Sequence, residues 1–361
     1  MAGRQIVVPF GPQHPVLPEP IHLDLVLEDE TVVEAVPSIG YIHRGLEKLV
    51  EKREYTDYIR IAERICGICS FTHSVTYAEA VEKTMGLEVP PRAHYIRTIL
   101  MEYSRLHSHM LWLGLAADAM GFENLFMNSW RIREEILDDM EMATGGRVIQ
   151  NLCTVGGIRK DVPDEMLGQM SDHLKEITPR MEELCRIFSH DTSVRHRMRG
   201  IGTLSKEEMW ELGAVGPTAR GSDLALDARC TGYSAYDELG FKPVVEKEGD
   251  CLARCIVRAK ELVAAADLVH TAVRKMPDGP VDVGKIKGGP DGETFVYTEQ
   301  PRGEVLHYVK GNGTKYLVRH RVRTPTFANI PPLVKMLAGA ELADVPIIVL
   351  TIDPCIGCME R

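Results

Sequence analysis

The stretches Arg64-Ile65-Cys66-Gly67-Ile68-Cys69-Ser70-Phe71-Thr72-His73 and Asp353-Pro354-Cys355-Ile356-Gly357-Cys358-Met359-Glu360-Arg361 decide the fold of this chain. Each contains a Cys-x-x-Cys pair, one near the start of the sequence and one at its end. Four thiolates that meet at one point form a soft metal site. The sequence therefore predicts a fold that brings the two distant pairs together around a metal centre.

The first cysteine pair is predicted to lie at the N-terminus of a helix. Gly67 permits a tight turn between the two thiols. The residues Tyr77, Ala78 and Val81 that follow the pair favour a helix. A helix N-terminus lowers the pKa of a nearby thiol, and the thiolate is the form that binds a metal. This position therefore suits metal binding.

The second pair is predicted to follow a buried strand and to open a short helix. Residues 345–352 form an apolar, β-branched run that is typical of a buried strand. Asp353 is a residue type that caps helices, and Pro354 fits the first helical position. Cys355 and Cys358 are then expected in the first turns of a terminal helix.

Composition and charge exclude several other classes of protein. The chain has 361 residues and a formal net charge of −10, which argues against a general nucleic-acid binder. It contains no apolar run long enough to span a bilayer, and residues 1–5 lack the apolar core of a secretion signal. We therefore expect a cytosolic protein, or one that is docked on a membrane-embedded partner.

The chain has nine cysteines, an odd number spread over a long sequence. Without a secretion signal, close cysteine pairs favour metal binding or catalysis over disulfides. Cys251 and Cys255, spaced i and i+4 in a predicted helix, leave a second metal pair open, although no His or third Cys lies near them in sequence. The isolated Cys153, Cys185 and Cys230 are interpreted as buried structural thiols.

Hydrophobic patterning predicts an α+β protein that is mainly helical, with a central bundle of long helices and small β regions near both termini. We expect an N-terminal β region over residues 1–50, a helical core over 51–275 and a C-terminal β/α region over 276–361. The other predicted elements are a hairpin at 21–36, long helices at 93–120, 130–142, 163–188 and 251–274, an ordered loop at 213–241, a hairpin around Gly311-Asn312-Gly313 within 305–323, and a short helix at 331–337.

A structural zinc site with four cysteines is the plainer alternative for the two motifs. Zinc ribbons usually space their two pairs by about 15–20 residues, whereas most of the chain separates the pairs here. A structural zinc site also has no need for Arg64, His73 and Arg361 at fixed steps from the thiols. These flanking residues favour a catalytic metal centre.

The two motifs resemble those of the catalytic large subunit of nickel–iron hydrogenases. Arg-x-Cys-Gly-x-Cys-x-x-x-His, residues 64–73, is similar to that family's first motif, and Asp-Pro-Cys-x-x-Cys-x-x-Arg, residues 353–361, to its last. Residues 11–15, 40–48 and 109–114 resemble the membrane-bound, energy-converting group of Ech and CO-induced type, and the related 49 kDa subunit of respiratory complex I. The complex I subunit has lost the metal cysteines, so the four thiols separate the two groups.

The resemblance implies a nickel–iron hydrogenase large-subunit domain over residues 1–361 and a role for each cysteine. Cys66 and Cys355 would be terminal ligands of nickel, and Cys69 and Cys358 would bridge nickel to iron. The iron would carry CO and cyanide ligands, which no side chain supplies. Such a centre implies heterolytic hydrogen chemistry, with hydrogen evolved or oxidised.

Four further residues are expected to act around the metals on the same resemblance. Arg302, in a Pro-Arg-Gly element, would overhang the metals and act on hydrogen, with Asp353 as its carboxylate partner. His73 would hydrogen-bond a ligating sulfur. Glu47 would be the first proton relay, because it lies just upstream of the first cysteine motif. Two further relay candidates are His14 and Glu19.

The resemblance also implies partners, because the four placed cysteines leave no further cluster for an iron–sulfur relay. We expect a small subunit with a 4Fe–4S cluster, further iron–sulfur and integral membrane subunits, and a ferredoxin-type electron donor. The chain would be a peripheral subunit on the cytoplasmic side of the membrane, coupled to ion translocation by a membrane arm. Two alternatives stay open: a structural-zinc scaffold and a complex I-like, quinone-reactive subunit.

Overall fold

The computed structural model describes residues 5–15, 17 and 19–361, and it is mainly helical with small antiparallel sheets towards both ends of the chain. The predicted α+β fold class is confirmed, while the division of a single domain into three regions stays a prediction. No helix within the described residues is both long and apolar enough to cross a membrane.

The α-helices are α1 (Leu46–Leu49), α2 (Tyr55–Glu63), α3 (Ser70–Met85), α4 (Pro91–Ala119), α5 (Glu123–Thr144), α6 (Asp164–His190), α7 (Thr192–Met198), α8 (Lys206–Glu211), α9 (Gly216–Arg220), α10 (Tyr236–Leu239), α11 (Cys251–Arg274), α12 (Pro325–Ala328), α13 (Ile330–Leu337), α14 (Val345–Thr351) and α15 (Ile356–Glu360). The strands are β1 (Gln5–Phe10), β2 (His22–Glu28), β3 (Thr31–Ser38), β4 (Cys153–Thr154), β5 (Gly157–Ile158), β6 (Asp291–Gln300), β7 (Gly303–Asn312) and β8 (Arg319–Arg323). Short 3-10 turns occur at Val50–Lys52, Ala228–Thr231 and Leu342–Asp344.

Four long helices, α4, α5, α6 and α11, pack into the centre of the core. α4 begins at Pro91, which suits the first helical turn because its nitrogen needs no hydrogen bond there. Its side chains are buried on nearly every face, as expected of a helix in the middle of a bundle. Three of the four predicted long helices are confirmed with small shifts at their ends. The fourth, expected from residue 130, already begins at Glu123.

Two three-stranded antiparallel sheets, β1–β2–β3 and β6–β7–β8, and the two-stranded pair β4–β5 complete the fold. Helix α3 packs against β6 and β7. β2 buries every second side chain, Leu23, Leu25 and Leu27, so the predicted first hairpin is confirmed. The predicted pairing of β7 with β8 is also confirmed. The strand β7 runs through Gly311 to Asn312, however, so a longer loop connects the two strands, and β6 has no counterpart among the predicted elements.

The predicted strand at residues 345–352 is wrong, because this segment forms helix α14. Pro346 lies in the first turn of the helix, where a missing N–H costs nothing. Almost every side chain of α14 is buried, so its apolar run carries no helical period that could distinguish it from a strand. The predicted loop at residues 213–241 likewise contains α9, α10 and a 3-10 turn.

A group of buried charges, which we call the ionic network, joins α4, α9, α11 and β6. Glu261 accepts hydrogen bonds from Nε of Arg220 at 2.9 Å and from Nε2 of His109 at 2.8 Å. Arg105 donates to the carbonyl oxygens of the last two residues of β6. The network therefore holds the turn at residues 301–302 against the helical core. Its members are Glu102, Arg105, His109, Arg220, Asp227, Arg229, Glu261 and Glu299.

Replacing Glu261 by Ala should strongly destabilise the fold, because Arg220 then loses a carboxylate partner in a fully buried site. The free energy of unfolding, measured by urea denaturation, should fall by about 3–5 kcal/mol. Glu293→Ala is the matched control, since the Glu293 carboxylate pairs with Lys310 in solvent and its removal should hardly change stability. A loss no larger than that of the control would contradict the stabilising role of the network.

Candidate metal centre

Four cysteine sulfurs from opposite ends of the chain lie together in a buried group, which we call the cysteine cluster. Sγ of Cys66 is 3.2 Å from Sγ of Cys355, and Sγ of Cys69 is 3.3 Å from Sγ of Cys358. The sulfurs of Cys66, Cys69 and Cys358 all lie within 4.8 Å of one another. At most 4% of the surface of any of the four residues is exposed. The two motifs therefore meet in the fold, while the ligand role of each cysteine stays a prediction.

Cys66 and Cys69 lie in the turn that leads into α3, at the helix N-terminus that the sequence predicts. Cys69 directly precedes the helix, which begins at Ser70. The backbone N–H groups of Ile68 and Cys69 donate to Sγ of Cys66 at 3.2 and 3.4 Å. Backbone donors therefore point at this sulfur and favour its thiolate form.

The helix expected at the second pair begins later than predicted, so the prediction that Asp353 caps it is wrong. α15 begins at Ile356, with Cys355 as the residue before it, and Pro354 lies outside the helix. Asp353 has a φ of 56°, in the left-handed region that Asp tolerates better than most residues. Its side chain pairs with Arg302 instead of the helix N-terminus. The ion pair therefore replaces the cap.

Arg302 lies in the two-residue turn between β6 and β7, and only 4% of its surface is exposed. Its Nη2 donates to Oδ1 of Asp353 at 2.9 Å, its Nε donates to the Asp353 carbonyl oxygen at 2.9 Å, and its Nη1 donates to Oγ of Ser108 at 3.3 Å. Burial disfavours the charge, but Asp353, Cys355 and Cys66 raise the pKa of Arg302 well above its usual range. The guanidinium therefore stays protonated beside the cluster.

The thiols of the cysteine cluster cannot all ionise in the absence of a metal. Hydrogen bonds from the other three thiols lower the pKa of Cys66 well below its usual range. Burial raises the pKa of Cys69 and of Cys358 well above theirs. A cation that binds thiolates would supply the missing positive charge. Four sulfur donors suit zinc, nickel or iron and do not suit magnesium or calcium, so the donor set fits a nickel–iron centre.

His73, in the first turn of α3, lies against the cluster. Its Nε2 is 3.3 Å from Sγ of Cys358, and its Nδ1 is 3.0 Å from Nε2 of His307. Burial lowers the pKa of His73 to about 4, so the ring is neutral at physiological pH. The structure thus places His73 where the sequence analysis expects it, at a cluster sulfur, and adds a second histidine behind it.

Glu47 contacts arginines near the surface rather than the cysteines. Its carboxylate accepts from Arg361 at 3.0 Å, from Arg321 at 2.7 Å and from the backbone N–H of Val322 at 2.9 Å. Burial raises its pKa, but the Val322 N–H and the two arginines outweigh burial and lower it overall. Its position therefore does not favour the first place in a relay, and a relay role for Glu47 stays a prediction.

Glu19 reaches the second motif, where its carboxylate accepts from the backbone N–H of Ile356. Burial raises the pKa of Glu19, the positive charge of Arg302 opposes this, and the negative charge of Cys66 adds to it. Glu19 lines a cavity of about 420 Å³ together with His14. The loop that carries both residues has no periodic pattern, so the sequence alone gives no signal of this placement.

The remaining cysteines form no second metal site in the part of the chain that the structure describes. Sγ of Cys255 donates to the carbonyl oxygen of Cys251 at 3.1 Å, so the alternative of a metal pair there gains no support. Cys153 and Cys185 are buried as predicted. Cys230 is exposed, contrary to prediction, because it lies in a 3-10 turn at the surface.

Two family models match the chain. Residues 119–289 and 286–361 match the 49 Kd subunit of respiratory-chain NADH dehydrogenase. Residues 44–117, which include the first cysteine motif, match nickel-dependent hydrogenase. The chain belongs to this hydrogenase and complex I large-subunit family. The resemblance stated from the motifs is therefore confirmed.

The chain is similar over almost its full length to three known proteins. The membrane-bound hydrogenase subunit alpha of Pyrococcus furiosus is 38% identical over 99% of this chain and 87% of that protein. The carbon monoxide-induced hydrogenase of Rhodospirillum rubrum is 38% identical over 98% of this chain and 99% of that protein. A chain in the structure of the membrane-bound sulfane sulfur reductase, an archaeal respiratory membrane complex, superposes with a TM-score of 0.94 at 31% identity, covering 99% of this chain and 98% of that one. The family is one of oxidoreductases, and its large-subunit fold is confirmed.

A second cavity, of about 670 Å³, is lined by Glu79, His94 and Phe295 among others and by none of the cluster cysteines. Glu79 accepts from Oγ of Ser234 at 2.6 Å. Burial raises the pKa of Glu79 to about 7. This carboxyl group is therefore protonated in the folded chain below neutral pH.

Glu79→Gln should remove a pH dependence of stability. The pKa of Glu79 is about 7 in the folded chain, above the usual 4.5. Protonation of this carboxyl therefore stabilises the folded chain fully below about pH 4.5, and this stabilisation is lost as the pH rises through 7. The variant keeps an acceptor for Ser234 but does not titrate. From about pH 5 to about pH 8, its free energy of unfolding relative to that of wild type should therefore rise by about 2 kcal/mol. Urea denaturation at the two pH values measures this, and Glu293→Gln should show no gain. Parallel pH profiles of Glu79→Gln and wild type would refute the raised pKa.

Proposed function

We propose that the chain is the catalytic large subunit of a nickel–iron hydrogenase that evolves or oxidises hydrogen reversibly. The observation that carries this proposal is the meeting of four buried sulfurs beside the buried ion pair of Arg302 and Asp353. A fixed positive charge beside a thiol cluster can stabilise negative charge that develops during a reaction, whereas a structural metal site needs no such charge. The match to nickel-dependent hydrogenase and the two hydrogenase relatives support the same assignment.

The cysteine cluster would hold the metals. Cys66, Cys69, Cys355 and Cys358 would each supply a sulfur ligand to a nickel–iron centre whose iron carries CO and cyanide. When bound, this centre would supply the heterolytic cleavage and formation of the hydrogen–hydrogen bond. The four sulfurs are buried from solvent, so the charged groups beside them act in a low dielectric.

Arg302 and Asp353 would act together at the edge of the cluster. The Arg302 guanidinium carries a permanent positive charge, and its two hydrogen bonds to Asp353 fix its orientation. Oδ2 of Asp353 is buried and has no hydrogen-bond partner within the described residues. That oxygen would serve as a proton acceptor, and the Arg302 guanidinium would polarise hydrogen as it enters the site.

Protons that are released at the cluster need a nearby carboxylate or imidazole. Glu19 reaches the backbone of the second motif and has a raised pKa, so it would be the first carboxylate to hold such a proton. Glu47 would act further out, close to the surface. His73 would tune the Cys358 sulfur through the contact with its Nε2.

Electrons would enter from another chain, since the described residues contain no further group of cysteines for an iron–sulfur cluster. We infer a small subunit with a 4Fe–4S cluster, fed by a ferredoxin-type donor through further iron–sulfur subunits. The names of two relatives, a membrane-bound hydrogenase subunit and a membrane-bound reductase complex, support integral membrane subunits that would couple the reaction to ion translocation. The chain would then lie as a peripheral subunit on the cytoplasmic side.

A second candidate is a subunit of complex I or sulfur-reductase type that does not act on hydrogen. The match to the 49 Kd subunit and the TM-score of 0.94 to the sulfane sulfur reductase favour it. The converging sulfurs favour the hydrogenase, because a soft metal centre uses four thiolate ligands, whereas reduction of a quinone needs none. A structural-zinc scaffold is not favoured, because it leaves the buried Arg302 without a role.

Metal analysis of the purified complex separates these candidates. The hydrogenase should contain one nickel and one iron at this centre, show infrared bands of metal-bound CO and cyanide, and evolve hydrogen from a reduced donor. A zinc scaffold should contain one zinc and neither infrared band. A nickel-free complex with no hydrogen turnover would refute the proposal.

Cys355→Ser should abolish hydrogen turnover and nickel binding while leaving the chain folded, because one sulfur ligand is lost and the buried volume barely changes. Cys230→Ser is the matched control, since this thiol is exposed and lies outside the cluster. Nickel content, circular dichroism and hydrogen evolution of both variants measure the effect. Retained turnover in Cys355→Ser would count against the ligand assignment.

A further inference from the structure

Arg258, on α11, is a buried arginine without a carboxylate partner within the described residues. Only 1% of its surface is exposed. Its Nη1 donates to the carbonyl oxygen of Arg254 at 3.0 Å, whereas its Nε and Nη2 have no hydrogen-bond partner in the same part of the chain. Unpaired N–H groups in the interior raise the free energy of the folded state, so the presence of Arg258 needs an explanation. Four other fully buried arginines each pair with a carboxylate: Arg97, Arg105, Arg220 and Arg229.

The contacts of α11 place Arg258 beside the segment that leads into the last cysteine motif. One turn earlier on the same face of the helix, Nε of Arg254 donates to Oγ1 of Thr351 at 3.1 Å. The guanidinium carbon of Arg258 lies over the ring of Trp112, 4.7 Å from the ring centroid. Nε1 of Trp112 in turn donates to the carbonyl oxygen of Leu350 at 2.9 Å. Both sets of contacts place the Arg258 guanidinium at the start of that motif.

Asp353 carries the complementary free group. Its Oδ1 accepts from Arg302, whereas its Oδ2 is buried and has no hydrogen-bond partner among the described residues. The other carboxylate near Arg258, that of Glu261, already accepts a hydrogen bond on each oxygen. Burial lowers the pKa of Arg258, and the negative charge of Asp353 is the largest attraction that opposes this effect. Asp353 is therefore the carboxylate that is left to balance the charge of Arg258.

The backbone of Asp353 also depends on its surroundings. Its φ of 56° lies in the left-handed region, which a residue other than glycine keeps only where neighbouring groups fix it. Arg302 fixes one side of the residue, because its Nε donates to the Asp353 carbonyl oxygen and its Nη2 donates to Oδ1. The side of Oδ2 has no such direct contact within the described residues. A second cation on that side would complete the support.

We propose that Arg258 is a positioning residue for the ion pair of Arg302 and Asp353, because its charge holds Oδ2 while Arg302 holds Oδ1. The Asp353 carboxylate then lies between two guanidinium groups. No direct hydrogen bond joins Arg258 to Asp353 in the described structure, so one ordered water between them completes the contact. The proposal rests on the hydrogenase function proposed above and adds to its site a residue from the helical core.

Arg258 affects the reaction through the orientation of this ion pair. A carboxylate between two fixed cations has little freedom to turn, so the Arg302 guanidinium keeps one orientation beside the cysteine cluster. Without Arg258, one side of Asp353 is not held, and both partners of the ion pair gain freedom. Turnover then falls because these groups are misplaced, whereas the affinity for an electron donor is unchanged.

A double-mutant cycle on the full chain, purified without metal, tests the contact independently of turnover. Arg258→Met removes the charge and keeps an unbranched side chain against Trp112. Asp353→Asn lowers the folding equilibrium constant, measured by urea denaturation, and this loss should be about tenfold smaller in Arg258→Met than in wild type. Where Arg258→Met does not fold, Arg258→Gln takes its place in the cycle. An equal loss in both backgrounds would overturn the proposal.

Arg133→Met is the matched control for this cycle. Arg133 is also buried, has an Nε without a partner among the described residues, and lies over the ring of Trp130 at 5.2 Å from its centroid. The charges that act on it are those of Glu134 and Arg147, not that of Asp353. The loss caused by Asp353→Asn should therefore be the same in Arg133→Met as in wild type, within about twofold.

Kinetics of the whole complex test the positioning role itself. Arg258→Met should lower kcat for hydrogen evolution by about tenfold or more, with nickel content and the KM for the electron donor unchanged. Arg258→Lys keeps the charge and should recover most of the lost kcat, and Arg133→Met should keep the wild-type value. A wild-type kcat in Arg258→Met, or an Arg258→Lys variant that is equally slow, would overturn the positioning role.

The two experiments separate this role from the function on which it rests. A wild-type complex without nickel and without hydrogen turnover would overturn the hydrogenase, while the double-mutant cycle would still decide whether Arg258 and Asp353 interact. A normal kcat in Arg258→Met beside active wild type would overturn the positioning role and leave the hydrogenase supported.

Discussion

The crowding of negative charge around four buried sulfurs is the constraint on which the rest of this structure depends. Each thiolate in a low-dielectric interior raises the cost of ionising the next, so positive charge has to be built into the surroundings. Arg302 supplies such a charge from a turn of only two residues, and Asp353 holds it in place. Arg105 in turn fixes the strand that leads into that turn. The ionic network in the helical core is thus mechanically connected to the edge of the cluster.

The two cysteine motifs are held together by a clamp at residues 40–44. Backbone N–H groups of this segment donate to the carboxylate of Glu360, two residues after the last cysteine. Arg44 donates from one nitrogen to the carbonyl oxygens of Ile65 and Gly357, and so touches both motifs at once. The helical core alone is therefore not sufficient to form the site. Hydrogen bonds from the N-terminal region to Glu360 and to the backbone of both motifs are needed as well.

Features that depend on neighbouring residues could be predicted from the sequence. Of the distant contacts, the meeting of the two cysteine motifs could be predicted as well, but the contacts around them could not. The long helices and the first hairpin follow from their apolar periodicity, and the spacing in each motif is sufficient to suggest a metal. α14 could not be separated from a strand, because an element buried on all sides has no amphipathic period. β6 was hidden by its largely exposed first half. Arg302 resembles a surface turn residue in the sequence, and only the packing of the whole chain shows that its turn points inward. The clamp and the contact of His73 with His307 leave no local pattern at all.

The sulfurs of Cys66 and Cys355 are 289 positions apart in the sequence. During synthesis the first pair leaves the ribosome long before the second exists, so a growing chain presents a half-made, two-sulfur site to the cell. Such a site binds copper more readily than nickel, because the affinity of a given site for divalent first-row metals rises from nickel to copper. If the cluster holds a metal, the order in which the two pairs are made, as well as affinity, would then affect which metal it receives.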